Sequence, residues 1–180
     1  ETALPIRKDL VAQVAEVHRH LLATVNTPGA MGNVANWQQH VMPTLLTEPG
    51  RELAEILGKD LPADAVPSKS YSGPPRIIVP TVRSTLTSGE DLKLKVIILA
   101  VDPPENAALY WRPMGKVNCK RIALAHIARG VYSVRIPAGK IKTDLEYYIE
   151  ANTSDGHAIT FPATAPNINQ TVLIMTDELE

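Results

Sequence analysis

The sequence predicts an α+β chain. An N-terminal helical segment of two to three helices spans residues 1–60, a Pro/Ser-rich linker 61–75, and an antiparallel β-sandwich of about seven strands residues 76–180. Three observations carry this reading. Apolar residues recur at spacings of three and four in the first 60 residues. The stretch "LPADAVPSKSYSGPP", Leu61 to Pro75, has no periodicity and is rich in Pro, Ser and Ala, so it is expected to run extended along a surface. Beyond it the apolar period switches to two, in short runs separated by turn-like residues. The 180 residues suffice for two small units, and the change of period falls between them.

The first helix is read from Pro5 to Asn26. Leu10, Val14, Val17 and Leu21 form its apolar stripe, widened by Val11 and Leu22. Pro28 and Gly29 end it, and "TPGAMGN" is expected as a loop with Asn33 capping the next helix. That helix runs to Leu46 with Val34, Trp37, Val41 and Leu45 on one face, and Pro43 is expected to kink or shorten it. A third, short helix follows Pro49, presents Leu53, Ile56 and Leu57, and stops at Gly58 with Pro62 beyond.

Eight strands are expected: Arg76–Arg83, Asp91–Val101, Ala107–Pro113, Cys119–Leu124, Gly130–Pro137, Leu145–Thr153, His157–Phe161 and Gln170–Thr176. Alternation assigns their faces. Leu92, Leu94, Val96, Ile98 and Ala100 share one side, with Lys93 and Lys95 opposite; Leu109 and Trp111 point inward, with Tyr110 and Arg112 outward. Trp111 is thus expected at the sandwich centre, and Tyr147 at a tyrosine corner with its hydroxyl bonded to upstream backbone. Short strands spaced by turns in this number are the pattern of a sandwich of immunoglobulin or fibronectin type III kind.

Composition excludes several functions. A net charge of −1 is not the footprint of a protein held by nucleic-acid phosphates or an anionic membrane. No apolar run approaches the roughly 20 residues of a membrane span. Cys119 is the sole cysteine, so no intrachain disulfide forms, and "VNCKR" is no nucleophile motif. His18 and His20 lie on different sides of a helix and cannot jointly hold a metal, and no clustered carboxylate or second cysteine completes a zinc site. No cofactor is expected.

"DLEYYIEANTSDG" poses the sharpest question, because it concentrates carboxylates and tyrosines on one strand. Glu146 and Glu150 share the outer face, but four residues at strand rise put them roughly 13 Å apart, beyond the ~5–9.5 Å of a glycosidase pair. No catalytic residue is assigned. Candidate ligand-binding residues are the outward aromatics Tyr110 and Tyr148, together with Trp37 of the helical segment.

Gly130 to Pro162, "GVYSVRIPAGKIKTDLEYYIEANTSDGHAITFP", resembles the last strands of the Ig-like or fibronectin-III-like accessory modules of large secreted bacterial enzymes, many of them polysaccharide-degrading. The matching positions are Gly130, Tyr132, Ile136 and Pro137, then Leu145, Tyr147, Tyr148, Ile149 and Ala151, then Asp155 and Gly156. The resemblance covers about the last 100 residues, omits the helices, and implies a non-catalytic module in a secreted or cell-envelope (periplasmic or extracellular) setting. With the non-Met start and Pro-rich connection, it leads to the expectation of a C-terminal part of a larger enzyme, whose partner is an upstream catalytic domain of the same polypeptide. The alternatives are a carbohydrate-binding module taking polysaccharide on Tyr110, Tyr148 and Trp37, and a protein-interaction module using the helical face with Trp37 as its anchor.

Overall fold

The computed structural model describes residues 2–25 and 30–176, in two compact units, Glu1–Tyr71 and Ser72–Glu180.

In the first unit, helix α1 (Ala3–Ala23) buries Arg7, Val11, Val14 and Leu22, whereas Val17 is 47% exposed. The buried side is turned from the expected stripe because Val11 and Val14 pack with Leu46, flanked by half-buried Leu10, Trp37 and Met42 of the same small core. The second helical run is continuous from Ala30 to Leu57. It comprises α2 (Ala30–Asn36), two π-helical turns (Trp37–Val41 and Pro43–Thr47) and α3 (Glu48–Leu57). Ala30–Asn33 are therefore helix rather than loop, so Asn33 caps nothing, and neither Pro43 nor Pro49 breaks the run.

A proline removes the N–H due to the carbonyl four residues back and crowds that carbonyl with its ring. Wider turns relieve both: the Met42 N–H donates to the Trp37 carbonyl and the Glu48 N–H to that of Pro43, each five residues back. More residues per turn also delay the inward position by about one. Burial passes accordingly from the expected Leu45, 39% exposed, to Leu46, 1% exposed.

Pro49 leaves the Leu45 carbonyl without its helical donor, and Arg7 supplies one. The guanidinium donates to the Leu45 carbonyl at 3.4 Å, the Leu46 carbonyl at 2.6 Å and the Ala65 carbonyl at 3.1 Å. Ala65, fully buried, belongs to a 3-10 turn (Ala63–Ala65) inside the stretch expected to run extended. A Cβ at position 50 would lie 2.6 Å from Arg7 Nη2, so a larger residue there must displace the guanidinium.

Among the described residues of the second unit ten strands form two sheets: β1 (Arg76–Ile78), β2 (Thr85–Thr87), β3 (Leu92–Leu99), β4 (Asn106–Pro113), β5 (Lys120–Ala123), β6 (Ala125–Ala128), β7 (Val131–Ile136), β8 (Leu145–Asn152), β9 (Ala158–Phe161) and β10 (Gln170–Met175). One sheet has the order β1-β3-β7-β6; the other is β2-β10-β8-β4-β5, with β9 also on β8. All pairings are antiparallel except β2 with β10. Together the sheets form a sandwich of Ig/fibronectin-III-like kind, α+β with the helices that precede it.

Alternation places the core as expected. Along β3, Leu92, Leu94, Val96 and Ile98 are buried; along β8, Leu145, Tyr147, Ile149 and Ala151 are. Trp111 sits at the centre, 1% exposed. The expected Arg76–Arg83 strand ends at Ile78, shortly before Pro80, which has no N–H for a ladder. Two strands escaped the pattern. Buried Leu86 sits in the three-residue β2. The chain after β5 switches sheets at Leu124 to become β6, whose four residues are all exposed, so no alternation marks it. Gly130 closes the β6–β7 connection against β3: its carbonyl accepts the Ile98 N–H at 2.8 Å, and a Cβ there would lie 2.4 Å from the Ile98 carbonyl oxygen.

Candidate functional site

Strands β4 and β8 bring two of the three candidate ligand residues together. Tyr110 and Tyr148 are direct cross-strand partners on the outer face, their rings stacked with centroids 4.9 Å apart and planes within 8°. Each ring gives one of its faces to the other. That arrangement differs from a flat aromatic platform, in which both rings turn their faces outward to a sugar. Burial, followed by the nearby Glu150 carboxylate, pushes the Tyr148 phenol above its ordinary pKa.

One step along the same face, Arg112 lies opposite Glu146 and donates to its Oε1 at 2.6 Å; Arg112 also donates to the Val117 carbonyl at 2.9 Å. Glu146 Oε2 accepts from the Asn169 side-chain amide at 3.2 Å. Asp144 accepts the Ile174 N–H at 2.8 Å, joining the start of β8 to β10. Asp155 accepts from the Thr153 hydroxyl within the β8–β9 turn. Asp144, Glu146 and Asp155 thus serve as internal acceptors, whereas the Glu150 carboxylate on the outer face makes no hydrogen bond or ion pair among the described residues.

Trp37, the third candidate, lies in the first unit. It is half-buried against Val11, Val14 and Leu46, and its Nε1 is buried without a hydrogen-bond partner among the described residues. Part of the indole is thus spent on the helical core.

Tyr147 is fully buried, but its hydroxyl has no partner among the described residues, so the expected corner bond is not made. Its register opposite Trp111 places the ring in the core of the sandwich. Burial drives its pKa upward. Cys119 is exposed, and among the described residues no three His, Cys, Asp or Glu side chains are grouped to hold a metal. Among the described residues no helix is long and apolar enough to cross a membrane.

Sequence reasoning missed Arg7, whose acceptors lie 38 to 58 residues away, and the Arg112–Glu146 pair, which needed the β4–β8 register. The signal for the second was present: outward Arg and Glu on neighbouring strands.

These two sheets define an immunoglobulin/fibronectin-III-like β-sandwich. No protein-family model and no curated protein matches the chain. Among solved structures it is similar to the twitchin kinase region from C. elegans (Fn31-NL-kin-CRD-Ig26), at 18% identity and a TM-score of 0.32. The match covers 57% of this chain and 16% of that one.

Proposed function

We propose that this chain is a non-catalytic accessory module, the C-terminal part of a larger secreted bacterial enzyme, whose sandwich supports or orients a catalytic domain. The observation that carries the reading is the use made of Glu146 on β8 and of Asp144 just before it. Glu146 is held by Arg112 and Asn169, and Asp144 by the Ile174 backbone, so groups that hydrolysis requires as acid and base instead tie β8 to β4 and β10. The paired stack of Tyr110 and Tyr148 favours support over carbohydrate binding for the same reason: the aromatic surface is used internally.

The test compares the complete product of the encoding gene with a version lacking these 180 residues. The expected result is a catalytic domain that keeps its active-site chemistry but unfolds at lower temperature or loses activity on its polymeric substrate. The reading is overturned by a gene product that contains no further domain, or by hydrolytic turnover from the isolated 180-residue chain that is lost in Glu146→Gln.

A further inference from the structure

The near-neutral net charge conceals a strong segregation. From Asn106 to Thr143 the sequence contains no Asp or Glu, yet it carries eight Lys and Arg. Two of these are paired, Arg112 with Glu146 and Arg135 with Asp91. The other six, Lys116, Lys120, Arg121, Arg129, Lys140 and Lys142, make no ion pair among the described residues.

Several of the six gather around β5. This strand is the edge of the larger sheet: it pairs in regular register with β4, and no described strand covers its other side. Lys120 and Arg121 are on β5 itself, with the Lys120 ammonium 4.9 Å from the centre of the Trp111 ring. Lys116 lies in the β4–β5 turn. The Met114 N–H bonds the Asp144 carbonyl at 2.9 Å, which lays that turn beside the segment carrying Lys142. The acids at this end are engaged, Glu146 by Arg112 and Asp144 by the Ile174 N–H. Val117, 84% exposed, and half-exposed Met114 add apolar surface.

We infer that the β5 edge is a docking site for an extended acidic peptide of a partner protein, which adds to the sheet as a further strand. An open edge offers backbone N–H and C=O groups at strand spacing, and these are matched by another peptide backbone rather than by a phosphate or sugar chain. The register then sets the pattern. Arg121, opposite Tyr110, faces outward, whereas Ile122, opposite Leu109, faces the core side. A docked strand therefore places a carboxylate beside Arg121 and an apolar residue beside Ile122, alternating acidic and apolar, with Lys120, opposite Trp111, on the Ile122 side. Edge lysines also guard strands against self-association, but that role does not by itself account for a tract of 38 residues without an acid.

The experiment uses the intact 180-residue chain and a capped octapeptide of alternating Glu and Val, with binding followed by fluorescence anisotropy and backbone NMR. Expected are saturable binding, new amide protection at Arg121 to Ala123, and weakening by roughly tenfold or more in Arg121→Glu. Lys116→Gln, away from the strand backbone, serves where Arg121→Glu fails to fold, and weakens binding by a smaller factor. The same peptide with alternate N-methylated amides keeps its charge but cannot pair, and it is expected not to bind. The inference is overturned if the methylated peptide binds equally well. It also fails if a sulfated polysaccharide or single-stranded DNA binds while the peptide does not, or if nothing binds and the cations only guard the edge.

Discussion

Arg7 and Gly50 show how one side chain compensates for a backbone defect elsewhere. Pro49 takes a donor away from the Leu45 carbonyl; Arg7 restores it and also serves Leu46 and Ala65, while Gly50 leaves room for the guanidinium. Gly50→Ala is expected to destabilise the helical unit by about 1–3 kcal/mol through overpacking. Arg7→Ala is expected to cost a similar ~1–3 kcal/mol by stranding buried carbonyls, and Arg7→Lys should not restore it, because one ammonium cannot reproduce the guanidinium fork. Urea unfolding followed by helical circular dichroism measures both. Tyr147 gives the opposite expectation. Its hydroxyl is buried and unpartnered, so Tyr147→Phe should leave the melting temperature unchanged or raise it. A clear fall would reinstate the corner bond read from the sequence.

Strands β3, β4 and β8 were legible as elements because each buries one face and leaves the other accessible, which writes a period of two into the chain. The crossing from β5 to β6 was not, since every residue of β6 is exposed and nothing selects alternation there. The second helical run was misread at its prolines, because the π turns that absorb them leave no local mark in composition. At this scale Gly130→Ala is the sharpest test. Its Cβ would meet the Ile98 carbonyl, so β7 must move off β3. The expected loss is on the order of 1–3 kcal/mol, with amide exchange accelerating first along Ile98 and the start of β7.

Across the sandwich, acids are used to close turns and pin strands. Asp91 is held below its ordinary pKa by the Ala138 N–H and then by Arg135; Glu90 is held down by the Thr87 N–H and Arg83; Asp155 by the Thr153 hydroxyl, joined by the His157 N–H. A carboxylate whose folded pKa is lowered contributes its stability fully above the unfolded value near 4. That contribution is lost as pH falls through the folded value. The sandwich is therefore expected to hold its stability from about pH 7 to 5 with respect to these groups and to lose it progressively below about pH 4. Asp91→Asn should be less stable at pH 7 and show a shallower acid decline. Thermal melts between neutral and acidic pH decide it, and an unchanged acid limb in Asp91→Asn would assign the decline to other groups.

The sequence by itself determined the order of helices then sandwich, the alternating faces of β3 and β8, and the inward set around Trp111. All of these follow from periodicity, which reports burial one residue at a time. Tertiary structure alone decided what the polar and aromatic groups do. Arg7 reaches carbonyls far along the chain, Tyr110 spends a ring face on Tyr148, Glu146 belongs to Arg112, and among the described residues β5 is left at an uncovered edge beside cations without ion pairs. The physical reason is that hydrogen bonds, stacks and charge pairs depend on which strands become neighbours, and pairing between distant strands is not encoded in the pattern of either one.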